Sequence, residues 1–271
     1  MTPQQLYSLI KETTNYNLHS HTEFCDGHAP IAKMADTAAE AGMSVWAATP
    51  HSPVCLESQC NMSEKSVPEF LSQCDSARER HAGNMRFLTS MEIDFVSRDF
   101  GPHIDYFQRL PLDFRLGSVH FVPTQDGVWL DCDGRFERFA GYLRDGFRGD
   151  LRYVVEKYFE QVLTMLELGG IDMLGHFDKI IGNAALADPS IETQKWYEAL
   201  VDDVVSHAAA SGVVVEINTK AILDKGRFFP DRRWWDKLKS AGVPVAINSD
   251  AHYPDKVNLG RAEALSLWEE S

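Results

Sequence analysis

The chain has 271 residues, 44% hydrophobic and 24% charged, which suits one large α/β domain spanning 1–271 with a full core. Its net charge of −14 sets up a field that repels phosphate backbones, so a small-molecule partner is expected and nucleic acid is not. The five cysteines (Cys25, Cys55, Cys60, Cys74, Cys132) are odd in number and form no CxxC pair. No apolar run has the length of a signal peptide or membrane span, and a reducing, cytoplasmic setting is expected.

Residues 1–15 read as a short helical lead-in, and 16–19 as the first strand, which runs into Asn17-Leu18-His19-Ser20-His21. Two histidines two apart on a strand leave the same face roughly 7 Å apart, a metal half-site if later strands supply partners and a pair of surface histidines if they do not. Residues 31–42 form a helix after Pro30, with Ile31, Met34, Ala35 and Ala38 at helical spacing and Gly42 as the stop. Residues 45–49 are an apolar strand ending in Thr49-Pro50-His51-Ser52-Pro53, 67–82 a helix, and 86–95 the third strand with Glu92 near its end. A short helix or turn at 101–109 leads to strand four at 115–119 and to His120.

The stretch 123–150 is polar and aromatic without clear period, and an insertion of that length suggests a lid over the strand ends. A strong amphipathic helix at 151–168 ends at Gly169-Gly170, and strand five at 171–175 leads into His176-Phe177-Asp178. Then come a helix at 191–210, strand six at 213–217 with Glu216 and Asn218 at its end, and a helix at 229–241. Strand seven at 243–248 runs into Ser249-Asp250-Ala251-His252, and a helix at 259–269 closes the chain. Seven strands alternating with helices argue for a parallel sheet.

His19, His21, His51, Glu92, His120, His176, Asp250 and His252 all fall at or just beyond predicted strand ends. In a closed parallel barrel those ends converge on one mouth, where active sites are built. With Asp26 from the first loop the set is six imidazoles and three carboxylates. Three metals with three or four ligands each, one carboxylate shared, would use all of it, and the donor set suits zinc, iron or manganese better than calcium or magnesium.

These motifs together resemble the polymerase and histidinol phosphatase (PHP) superfamily, and most closely its histidinol-phosphate phosphatase branch; the likeness spans 16–256. The resemblance implies a distorted (βα)7 TIM-like barrel with a trinuclear metal site that hydrolyses a phosphomonoester, L-histidinol phosphate in histidine biosynthesis. It further implies that His19, His21, Glu92 and Asp250 hold one ion, Glu92, His120 and His176 a second, and Asp26, His51 and His252 a third, with Glu92 as the bridge. The chain departs from the family at Pro50, where Asp is common, and offers both Asp26 and His28 for one ligand position. Asp26 is preferred because Phe24-Cys25-Asp26-Gly27 matches the aspartate-using branch, leaving His28 free to meet substrate.

Metal-activated water needs no protein nucleophile. Besides bridging Glu92, Asp178 is a candidate to orient that water or move a proton, with a structural role as the alternative. Lys179, Lys220, Lys225 and Arg227 follow strand ends and could contact phosphate or simply be solvated. Glu216, Asn218 and the acids Asp126, Asp131 and Asp133 of the insertion are candidates to meet the substrate's cationic end. Rival readings are a nuclease or other phosphoesterase of the same fold, which the acidic charge disfavours for nucleic acid, and a non-catalytic binding module, which would be expected to lack ligands. The oligomeric state is left open by the sequence.

Overall fold

The computed structural model describes residues 1–270. A three-stranded parallel sheet contains β1 (Tyr16–Asn17), β2 (Val45–Ala48) and β3 (Arg86–Thr89) in that order. In chain order the remaining strands are β4 (Glu92–Asp94), β5 (Leu116–Ser118), β6 (Phe121–Pro123), β7 (Trp129–Asp131), β8 (Met173–Leu174), β9 (Val214–Asn218) and β10 (Val245–Asn248). A five-stranded parallel sheet has the order β10-β9-β8-β5-β4.

Two parallel bridges close these sheets into a barrel: Ser20 with Ala251 beyond β1 and β10, and His51 with Glu92 between β2 and β4. The expected third strand, 86–95, is therefore two strands. β3 pairs with β2 and β4 with β5, and the chain changes partner at Ser90, whose amide donates to Ala48 O and whose hydroxyl donates to Phe114 O at 2.7 Å. Counting β3 and β4 as one interrupted strand, seven parallel staves ring the barrel among the described residues.

Side chains alternate across each stave. Val45 and Ala47, Val214 and Ala246 face the barrel interior with Leu18, Leu88, Leu116 and Met173, while Trp46 and Val215 face the surrounding helices. The lower end of the interior is plugged by Leu6, Leu9 and Ile10 of the helix Pro3–Lys11, so apolar packing fills the bottom and leaves only the top for chemistry. Outside, the helices Leu151–Leu168 and Lys195–Ser211 pack on β8 and β9 around Phe159, Tyr197 and Val201. The first of these is capped by Asp150, whose carboxylate accepts from Tyr153 N at 3.0 Å, and ends at Gly169 with φ 71°.

The insertion at 123–150 has more structure than its aperiodic sequence suggests. β6 and β7 form an antiparallel hairpin, and a helix follows at Phe136–Asp145, with Val122, Cys132 and Phe139 buried in the main core. The expected helix at 229–241 shortens to Trp235–Ser240, because Phe229 instead bridges to Asn218 at the end of β9. Among the described residues no helix is long and apolar enough to cross a membrane.

Candidate metal centre

Asn17 at the end of β1 ties the mouth together: its side-chain amide donates to His19 O (3.2 Å), Ser20 Oγ (2.8 Å) and Ser249 Oγ (2.8 Å). Beyond His21 the loop folds back so tightly that Cys25 N and Gly27 N both donate to Thr22 O. A Cβ on Gly27 would lie 2.3 Å from Thr22 N, so only glycine allows the turn that carries Asp26 back over His21. After β10, Asp250 has φ 49°, the left-handed region that Asp tolerates better than most residues, and this turns its carboxylate into the mouth.

Glu92 lies at the centre. Its Oε2 is 3.1 Å from His51 Nδ1, 3.3 Å from His19 Nε2 and 3.4 Å from His21 Nε2. Its Oε1 is 2.9 Å from His176 Nε2 and 3.5 Å from His120 Nε2. Asp250 Oδ1 stands 3.0 Å from His21 Nε2 and 3.4 Å from His252 Nδ1, while Asp26 Oδ1 stands 3.3 Å from His252 Nε2 and 3.6 Å from His21 Nδ1. Three overlapping groups have metal-ligand spacing: His19, His21 and Asp250; His51, Glu92 and His120; and His21, Asp26, His51 and His252.

These donors fit divalent ions on their own geometry. His19 Nδ1 is 2.7 Å from Glu216 Oε1 and His120 Nδ1 is 2.6 Å from Asp94 Oδ1. When each Nδ1 donates to its carboxylate, the opposite Nε2 presents a lone pair. His19 Nε2 then faces His21 Nε2 at 3.1 Å, and His120 Nε2, His51 Nδ1 and Asp26 Oδ1 are buried without a hydrogen-bond partner among the described residues. Ligand atoms sharing an ion at about 2.0–2.2 Å must lie roughly 3–3.6 Å from one another.

Electrostatics agree. Burial, with neighbouring His252 and His51, holds His21 well below the usual histidine range, and burial likewise depresses His51 and His176, so these rings are neutral. At His120 burial is outweighed by Asp94 and Glu92, which push its pKa up to about 9, and at His19 by Glu216, Asp250 and Glu92. The field that draws protons to these two rings also draws divalent cations.

The structure thus gathers His19, His21, Asp26, His51, Glu92, His120, His176, Asp250 and His252 at one mouth. Lys220 Nζ stands at its rim, 3.4 Å from Asp250 Oδ1, as does Lys179 Nζ, 3.7 Å from Asp250 Oδ2. Two cavity lobes adjoin it. One, of about 160 Å³, is bounded by Asp26, His51, His120, Asn61 and Asp131, and the other, of about 280 Å³, by Lys179, Lys220, Asn183, Lys225 and Phe229. The resemblance groups His120 with His176, and both rings face Glu92 Oε1, while His51 also lies within metal-ligand spacing of Glu92 and His120.

Other expectations need correction. Glu216 is not a substrate contact: it is buried under the cluster, accepting from His176 N (3.2 Å) and Asn248 Nδ2 (3.0 Å) as well as pairing with His19. Asn218 is likewise spent, donating to Glu216 Oε2 (3.2 Å) and Asp250 Oδ2 (3.1 Å). Asp178 is buried; its Oδ2 accepts from Asp231 N at 2.9 Å, its Oδ1 has no hydrogen-bond partner among the described residues, and burial pushes its pKa up to about 7. Arg227 pairs with Glu192 and Asp231. His28 is exposed and stacks on Tyr253 with ring centroids 4.2 Å apart, so the structure brings Asp26, not His28, to the ligands. Of the insertion's acids, Asp126 is occupied by Arg148 and Asp131 by Arg138.

The sequence reading missed Asp94, which orients His120, and Asn61, whose amide donates to Asp94 Oδ2 at 2.8 Å. Period-two alternation after Glu92 places Asp94 on the same inward face and was the available signal.

The PHP domain model matches residues 17–220. A Deinococcus radiodurans protein described as a probable histidinol-phosphatase is 25% identical over 262 residues, covering 91% of this chain and 90% of the relative. Another so described, from Clostridium acetobutylicum, is 32% identical over 162 residues, covering 58% and 57%. Among solved structures, a candidate histidinol phosphatase from Listeria monocytogenes superposes with TM-score 0.82 at 17% identity, covering 92% of this chain and 99% of that one. The histidinol phosphate phosphatase of Lactococcus lactis, solved with zinc, L-histidinol and phosphate, superposes with TM-score 0.72 at 17% identity over 95% and 93%. Fold, motif order and family match agree, and the chain belongs to the PHP domain family.

Proposed function

We propose that this chain is a metal-dependent phosphomonoester hydrolase acting on L-histidinol phosphate, with a site for three divalent transition-metal ions. The observation that carries the reading is the set of lone pairs converging on Glu92 from His19, His21, His51, His120 and His176, flanked by Asp26, Asp250 and His252. His19, His21, Glu92 and Asp250 would hold one ion, Glu92 with His120 and His176 a second, and Asp26, His51 and His252 a third. Zinc, manganese or iron so held supplies neutralisation of phosphate oxygens and a water acidified into a nucleophile.

The chain's own residues do the rest. Glu216 and Asp94 fix which nitrogen of His19 and His120 faces the mouth. Lys179 and Lys220 add positive charge at the rim, where a phosphate dianion is favoured. The substrate assignment is supported by the descriptions of the relatives and by the net charge of −14, which draws in an ester whose other end is cationic. Metal analysis of fresh protein, with hydrolysis of a panel of phosphate esters, tests both parts. The expected result is bound transition metal, activity lost on chelation and restored by zinc, manganese or iron, and highest kcat/KM for L-histidinol phosphate. Full activity in verified metal-free protein would sink the chemistry; a better nucleotide or sugar phosphate would sink the substrate.

A further inference from the structure

The insertion meets the metal mouth at one turn, residues 131–134, fastened from both sides. Asn183 Nδ2 donates to Cys132 O and Gly134 O, each at 3.2 Å, and Arg138 Nη2 donates to Asp133 O at 2.9 Å. Asp126 and Asp131 are neutralised by arginines of the insertion itself, whereas Asp133 reaches out to Lys179 Nζ at 2.9 Å. Lys179 is only 13% exposed, and its ammonium lies between Asp133 Oδ2 and Asp250 Oδ2, on the wall of the 280 Å³ lobe. An ammonium has three N–H donors; Asp133 at 2.9 Å engages one, Asp250 at 3.7 Å is beyond hydrogen-bond length and adds only its charge, and the other donors remain for a ligand entering the lobe.

The geometry points to Asp133 as a positioning residue that holds the Lys179 ammonium beside the metal cluster to grip the phosphoryl group. This rests on the phosphomonoesterase reading and gives the insertion a part in phosphate binding. It also removes Asp133 as counter-ion for a cationic leaving group: moving the carboxylate to such a ligand would strand a largely buried ammonium. Burial opposes both charges, yet each partner outweighs it at the other, with Asp133 held well below the carboxylate range and Lys179 above the usual lysine value.

The test is calorimetric titration of the metal-loaded protein with inorganic phosphate, which needs no organic substrate and so separates this inference from the choice of ester. Asp133→Asn and Lys179→Met should each weaken phosphate binding about 10-fold, the size of one charge-assisted hydrogen bond, and the double variant no more than either. Asp133→Glu, which keeps the charge, should recover most of the affinity, and Asp133→Asn should raise KM equally for L-histidinol phosphate and p-nitrophenyl phosphate. Unchanged phosphate affinity in either single variant, additive losses in the double, or a KM rise confined to L-histidinol phosphate would each overturn it.

Discussion

Replacing Glu216 by Gln probes whether the ligand cluster is held in shape from below. Four donors converge on this buried carboxylate: His19 Nδ1 and Asn248 Nδ2 on Oε1, and His176 N and Asn218 Nδ2 on Oε2. A carboxylate only accepts, but a carboxamide offers one oxygen and one NH2 group, so either orientation points N–H bonds at two existing donors. With about 1–3 kcal/mol for each buried donor left unsatisfied, the loss is on the order of 3 kcal/mol, or roughly 6–12 °C in Tm for a chain of this size. Because His19 loses its partner or His176 its backbone anchor, metal affinity should fall about 10–100-fold. Calorimetric melting in chelator reads the first effect, and competition of the holoprotein with a chromogenic chelator the second. A variant that melts within about 1 °C of the parent and keeps its metal against the same chelator would refute the reasoning.

Asp94→Asn, which replaces a carboxylate that meets His120 Nδ1 at 2.6 Å and Asn61 Nδ2 at 2.8 Å, should weaken metal retention by about 10–100-fold and lower melting of the chelated protein by less than Glu216→Gln does, since one donor rather than two is left facing an N–H; unchanged retention would show that Asp94 does not orient the ring. Asp26→Ala should lower bound metal measured by mass spectrometry, whereas His28→Ala should not, since His28 is exposed against Tyr253; the reverse pattern would reassign the ligand. The Asp178 carboxyl, raised by burial to about 7, holds its proton in the folded state where the unfolded chain has released it. Stability should therefore fall as pH rises from about 4 through 7, by on the order of 4 kcal/mol at most, and Asp178→Asn should flatten that slope. Denaturant titrations at several pH values check this, and equal slopes in both proteins would remove Asp178 as the source.

The positions of the metal donors were legible because they are local. Apolar runs mark the staves, and the residue after each run emerges at the barrel mouth whatever the loops do, so His51, His120, His176 and Asp250 needed no tertiary information. The helix at 151–168 was equally legible, since its periodicity and its stop at Gly169 lie within one segment. Glu216, Arg227 and Asp178 follow the same strand-end logic, which offers the first two as substrate contacts and Asp178 as a proton carrier, yet each also finds a partner within the chain that the sequence does not announce. Glu216 finds His19, 197 positions away, across the closed barrel, and Asp178 finds the Asp231 amide 53 positions on. The split at Ser90 likewise depends on two neighbouring staves competing for one strand. Side-chain direction along a strand is written in its period of two, but which charge or donor it meets is set only when the staves close and desolvation forces every buried polar atom to find a partner.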